Sequence, residues 1–327
     1  MTTTSILNPG NGVFGTHVSL EDVNLAIREQ MRIDNELTSE SKMEVIGDGN
    51  GFSSIVILIT CQWTTPSEDL PTKIILKILC FEHIKKMVEK AKEEGYFQID
   101  EEMEKQMEEH FEVSVQRIHN QEINVYEVLM KNASESLLTP KVYFTRKFGG
   151  ENTTKGFIGM EYIEGSGIRH SHENSSLEDI QPILKAIAGI QAMDISEEDL
   201  EKIKEGSSFK ETAGRMMNVD GMKGIFEQSK KMDPERLTER IERIQSYGSK
   251  ILDTEMAFNL NKVVAKKSYR MFYPIGGLAL IPLFGPAVDM KLVSIDEKKA
   301  SEYRRVVVEK VTCLLEDVEN FYLESIL

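Results

Sequence analysis

The sequence predicts an α+β chain, with a small sheet-containing lobe first and a helical lobe after it. Two observations carry this. Strand-like apolar runs are confined to residues between Glu44 and Ile163, and after Gly165 the hydrophobic period becomes helical throughout. A length of 327 residues with 40% hydrophobic content suits one large domain or two lobes rather than a disordered chain.

Residues 1–40 read as a leader with one helix, Leu20 to Arg32, opened by Ser19 as N-cap. Residues 41–164 form the first lobe. Glu44 to Ile46, the turn Gly47-Asp48-Gly49-Asn50-Gly51 and the apolar run Ile55 to Thr60 predict a hairpin. Ile74 to Leu79 is a further strand, broken only by Lys77; Val142 to Thr145 and Phe157 to Ile163 follow. Between them lies a charged insertion. Asp100 to Glu112 holds seven acids against one lysine, as a solvated helix face would. A second helix, Glu112 to Met130, carries Val115, Ile118, Val125 and Leu129 as its apolar stripe, with Glu122 on the same face.

Residues 165–327 form the helical lobe. Pro182 to Met193 is amphipathic, and Ser196 with Asp199 predicts a capping box. Asp233-Pro234 opens a helix with Leu237, Ile241, Ile244 and Ile251 on one side, and Asp296 to Leu323 is the last helix. Met271 to Val288 is 18 residues without a charge, but three prolines and three glycines interrupt it. That pattern predicts two short buried helices and no membrane span.

A net charge of −15 argues against nucleic acid and anionic membrane surfaces as partners. Cys61, Cys80 and Cys313 form no CxxC, which predicts reduced thiols in a cytoplasmic protein without a zinc site. His170-Ser171-His172-Glu173 could ligate a metal, but its polar neighbours read as an exposed loop.

Lys77 is the residue that asks for chemistry. An ammonium among isoleucines and leucines must reach water or meet an anion, because an unpaired buried charge is costly. Glu122 poses the mirror-image problem on its helix. Pairing the two answers both and leaves Lys77 donors for a phosphate. The glycine turn is by itself a weak phosphate signal, since the same residues simply make a hairpin.

The order of these features resembles a known family. Ile46-Gly47-Asp48 through Gly51-Phe52-Ser53, Trp63, Lys77-Ile78 and His119-Asn120-Gln121-Glu122 with Tyr126 resemble the nematode CHK kinase-like proteins. These are relatives of choline, ethanolamine, ecdysteroid and aminoglycoside kinases. Met160-Glu161-Tyr162-Ile163 resembles that family's hinge, and Tyr269 to Pro274 with Leu280 to Pro286 its C-terminal helices. The resemblance implies a protein-kinase-like two-lobe fold. It implies that Gly47, Gly49 and Gly51 cover ATP phosphates, that Glu122 holds Lys77 against them, and that backbone from Met160 through Glu161 to Ile163 meets adenine.

The transfer machinery is what the sequence lacks. The family's His-Gly-Asp-x-x-x-x-Asn loop and its later metal-binding Asp have no counterpart: no Asp follows a His by two positions, and none precedes an Asn by five. The Mg²⁺ ligands are therefore absent as well. Aligned by eye, the missing stretch joins near Asp253-Thr254-Glu255, which truncates the helical lobe. Three readings follow: a pseudokinase that keeps a nucleotide site, an active kinase drawing carboxylates from Asp253 or Asp289, or a shortened product. Loss of the centre of the lobe would leave apolar faces such as that of Pro182 to Met193 without partners. No protein partner is identified by the sequence.

Overall fold

The computed structural model describes residues 5–46, 54–81, 101–132, 139–167, 173–205, 219–252 and 297–326. It is a mixed α+β structure whose strands make a small antiparallel sheet. Two compact units are present: Met1–Ile168 with Ser175–Ser208, and Arg169–Asn174 with Phe209–Leu327.

The first unit opens with helix α1, Leu20–Met31. Ser19 accepts from the Asp22 N–H while Asp22 accepts from the Ser19 N–H, a complete capping box. Arg32 ends the helix in the left-handed region, at φ 56°. Strands β1 (Lys42–Ile46), β2 (Ser54–Thr60), β3 (Lys73–Leu79), β4 (Val142–Arg146) and β5 (Phe157–Glu161) pair in the order β1-β2-β3-β5-β4. Each neighbouring pair is antiparallel.

Alternation along these strands sorts side chains onto two faces. Ile55, Ile57, Ile59, Ile74, Leu76, Ile78, Phe144 and Phe157 share the face packed against Val23, Ala26 and Ile27 of α1. Full burial of each such side chain contributes roughly 1.5–3 kcal/mol, so this layer is the unit's main stabiliser. Gly159 belongs to it by necessity, since a Cβ there would stand 2.2 Å from the Phe144 ring.

Helix α2, Glu101–Lys131, corrects two expectations. It is one continuous helix rather than two. Its buried side matches the apolar stripe only in part: Val115 and Leu129 are buried, but Ile118 is 50% exposed, and His119, Ile123 and Val128 are buried instead. The physical reason is polar: His119 and Asn120 hydrogen-bond to the sheet and turn their own positions inward. Helix α3, Leu177–Gln191, starts five residues before the Pro182 boundary. Ser176 caps it with Asp179. Helix α4 is Glu197–Lys204. β5 stops at Glu161, two residues short of the expected Ile163.

The second unit contains α5 (Val219–Met232), α6 (Pro234–Leu252) and α7 (Glu297–Ile326). Leu237, Ile241 and Ile244 pack with Phe226 and with Val308, Val311, Leu315 and Val318. The steps of three and four residues put each set on a single helix face. Among the described residues, no helix is long and apolar enough to cross a membrane. Met271 to Val288 lies outside those residues.

Candidate functional site

The sheet face opposite α1 carries the candidate site. Register places Ile46, Val56, Lys77 and Ile158 in one row across β1, β2, β3 and β5. Two residues along β3, Leu58, Ile75 and Met160 make the next row, about 7 Å away. Ile46, Val56, Ile75 and Met160 are only partly buried, so this face is an apolar floor left partly open beside a single ammonium.

Lys77 meets Glu122 directly. Its Nζ stands 2.7 Å from both carboxylate oxygens, and the two side chains are 28% and 29% exposed. An ammonium has three N–H donors, and the carboxylate engages two. Among the described residues the third has no partner.

Glu122 is held in place from α2. One turn earlier, His119 Nε2 donates to the Arg146 carbonyl at 3.0 Å, a contact that fixes the ring's proton on Nε2. Asn120 brackets Phe148, donating to its carbonyl at 2.9 Å and accepting from its N–H at 2.8 Å. His119 also sits edge-on to the Phe148 ring. Burial lowers the His119 pKa, and this outweighs the opposing pull of the Arg146 carbonyl and Glu122. The ring is neutral at pH 7.

Along the same helix, from Gln121 to its C-terminal residue Lys131, α4 is tied on by a second set of contacts. Gln121 and Asn124 donate to the Ile203 and Lys202 carbonyls in the last turn of α4, where Lys202 also accepts from the Glu205 N–H. Asp199 pairs with Lys131 at 2.8 Å, and Glu127 lies between Lys147 and Lys202. The sequence named Asp199 only as a capping residue; its ion pair had no signal there. A third tie, Glu112 accepting from Ser5 and from the Ile6 N–H, was equally illegible, since 106 residues separate the partners.

The remaining expected site residues are distributed differently. Met160 shares the Lys77 face. Glu161 pairs opposite Ile74, on the α1 side, and its carboxylate accepts from the Lys141 N–H. Ile163 lies past the strand, half exposed, and its carbonyl accepts from Ser166. Gly47, Gly49 and Gly51 lie outside the described residues; their flanks Ile46 and Ser54 stand in or next to the Lys77 row. His170, His172, Asp253 and Asp289 also lie outside.

Among the described residues, no group of three His, Cys, Asp or Glu side chains is arranged to hold a metal. Burial pushes the Cys61 thiol up to about 12, which makes it inert. A groove of about 460 Å³ between α6 and α7 is lined by Arg240, Arg243, Glu239 and Glu316, among others. These charges pair with one another or with Glu319, so the groove is occupied by its own ion pairs.

A family model described as "Uncharacterized oxidoreductase dhs-27" (DUF1679) matches residues 6–267 and 264–326. The chain belongs to that family. The two matched stretches overlap at 264–267, so no chain residues intervene between them. The family's description names an oxidoreductase, not a kinase. No curated protein and no solved structure matches the chain.

Proposed function

We propose that the chain keeps the nucleotide-gripping half of a kinase-like phosphotransferase site and transfers no phosphate. The Lys77–Glu122 pair carries this reading. A strand lysine clamped by a helix carboxylate, with a donor to spare and an apolar floor beside it, suits a nucleotide's phosphates and base. The strand order and the position of α2 after β3 support the same comparison.

The absence of transfer rests on the sequence. Phosphoryl transfer needs a carboxylate to orient the acceptor hydroxyl and others to hold Mg²⁺, and the motifs that supply them are missing. The two-part family match supports this, because a stretch of the family model without a counterpart in the chain would produce that junction. The junction lies some ten residues beyond Asp253 to Glu255. An acceptor alcohol would be met by residues from that same stretch.

The family description favours a second reading, an oxidoreductase. Dinucleotide cofactors commonly bind at a parallel βαβ unit, with the pyrophosphate at a helix N-terminus. The five strands described here pair antiparallel throughout, which suits that reading less well.

Thermal melts of the full chain with excess ATP or NADH, with and without Mg²⁺, distinguish the two readings. At a hundred times its Kd, ATP stabilises a folded binder by about 2.7 kcal/mol. The expected result is an upward shift with ATP that is lost in Lys77→Met, with no ADP formed over a range of amino alcohols and sterols. A cooperative melt that ATP leaves in place would sink the proposal, and a shift with NADH alone would favour the oxidoreductase.

A further inference from the structure

Residues 5–7 stand where the Lys77 strand meets the Glu122 helix. Ser5 Oγ donates to one oxygen of the Glu112 carboxylate at 2.7 Å, and the Ile6 N–H donates to the other at 3.0 Å. Ser5 Oγ accepts in turn from the Leu7 N–H at 3.1 Å. The Ile6 side chain is buried in one cluster with Leu79, Phe81, Val115 and Phe148. Leu79 lies on the Lys77 face of β3, two residues further on. Val115 lies on the Glu122 face of α2, two turns earlier. Ile6 thus joins the strand and the helix that the ion pair also joins.

We propose that residues 5–7 are a latch that sets the position of α2 and thereby holds Glu122 on Lys77. The other polar ties come from one side. Gln116, His119 and Asn120 donate to the carbonyls of Thr153, Arg146 and Phe148, and Lys147 donates to Asn124. These contacts fasten α2 only along residues 146–153. Glu112 supplies a second fixed point ten residues before Glu122, about 15 Å along the axis. Two such points set both the line and the rotation of a helix. Rotation matters here, because Glu122 meets Lys77 through both carboxylate oxygens at 2.7 Å, a geometry that a small turn of α2 would break. The grip on a phosphate then depends on whether residues 5–7 are docked. That consequence rests on the nucleotide reading above; the hold on the ion pair does not.

Ser5→Ala with Glu112→Ala, made in the full chain, removes the latch and leaves Lys77 and Glu122 in place. A water-soluble carbodiimide condenses an amine with a carboxylate in contact with it, and peptide mass spectrometry reads the Lys77–Glu122 amide without any nucleotide. Its yield should fall severalfold in the double variant and be restored by Ser5→Thr with Glu112 kept, since the hydroxyl donor returns. The Lys155–Asp22 pair, also at 2.7 Å, is the internal control, and its crosslink should not change. Ser5→Ala alone carries the test if the double variant loses its cooperative melt. ATP titration is the second readout. The double variant should weaken ATP binding about tenfold, and should weaken it no further in a Glu122→Gln background, because the latch acts through that carboxylate. An unchanged Lys77–Glu122 crosslink, a parallel loss of the Lys155–Asp22 crosslink, or additive losses of ATP affinity would each overturn the latch. A chain that ignores ATP, but whose Lys77–Glu122 crosslink still needs Ser5 and Glu112, would sink the nucleotide reading and uphold the latch.

Discussion

Glu122 reaches Lys77 because two polar residues one turn earlier, His119 and Asn120, fasten α2 to the end of β4. Lys77 and Glu122 were legible in the sequence, since each is a charge in apolar company and each solves the other's problem. His119 was not, because a stripe drawn through aliphatic residues passes it by and selects Ile118 instead. Its burial has a measurable sign. The buried ring has a lowered pKa, whereas the unfolded chain titrates near 6.5. The stability from keeping it neutral is fully present above pH 6.5 and is lost as pH falls towards the folded value, because the unfolded state then binds the extra proton. The slope is at most about 1.4 kcal/mol per pH unit for one proton. Denaturant titrations between pH 5 and 7 should show stability falling with pH, and His119→Gln should flatten that dependence. An equally steep slope in the variant would assign it to other groups. The carboxylates of Asp22, Glu127 and Asp199 are all lowered and titrate below this window.

Elements were legible where local chemistry defined them. The capped α1, the β1–β2 hairpin and the helix opened by Asp233-Pro234 follow from caps, glycines and period. Reading Pro182 as a boundary hides the beginning of α3, although Ser176 and Asp179 supply the same signal as Ser19 and Asp22. Helix α4 shows what local chemistry cannot supply. Eight residues are too few for a stable helix in water, so tertiary ties hold it. Ser196 accepts from the Asp199 N–H at 3.1 Å, and Asp199 in turn meets Lys131. Ser196→Ala removes the cap and should destabilise the first unit by about 1 kcal/mol, a fall in Tm of about 2–4 °C. Lys131→Met leaves a nearly buried carboxylate without its cation and should lower Tm further than the cap deletion does. If calorimetry ranked the two in the opposite order, Asp199 would be a capping residue whose ion pair is incidental.

Across the whole molecule, net charge and local ion pairs act in opposite directions. The chain carries −15 at neutral pH, and a compact state with that excess repels itself. Its helices meanwhile carry pairs of opposite charge, such as Arg240 with Glu316 and Arg243 with Glu319 between α6 and α7. Added salt weakens both, with a Debye length of about 10 Å at 0.1 M, but exposed pairs contribute little to begin with. The net repulsion should therefore decide the sign, and Tm should rise between about 50 and 300 mM NaCl in a calorimetric series. A Tm that falls over the same range would show that the ion pairs outweigh the repulsion, and Arg240→Gln should then remove part of the fall.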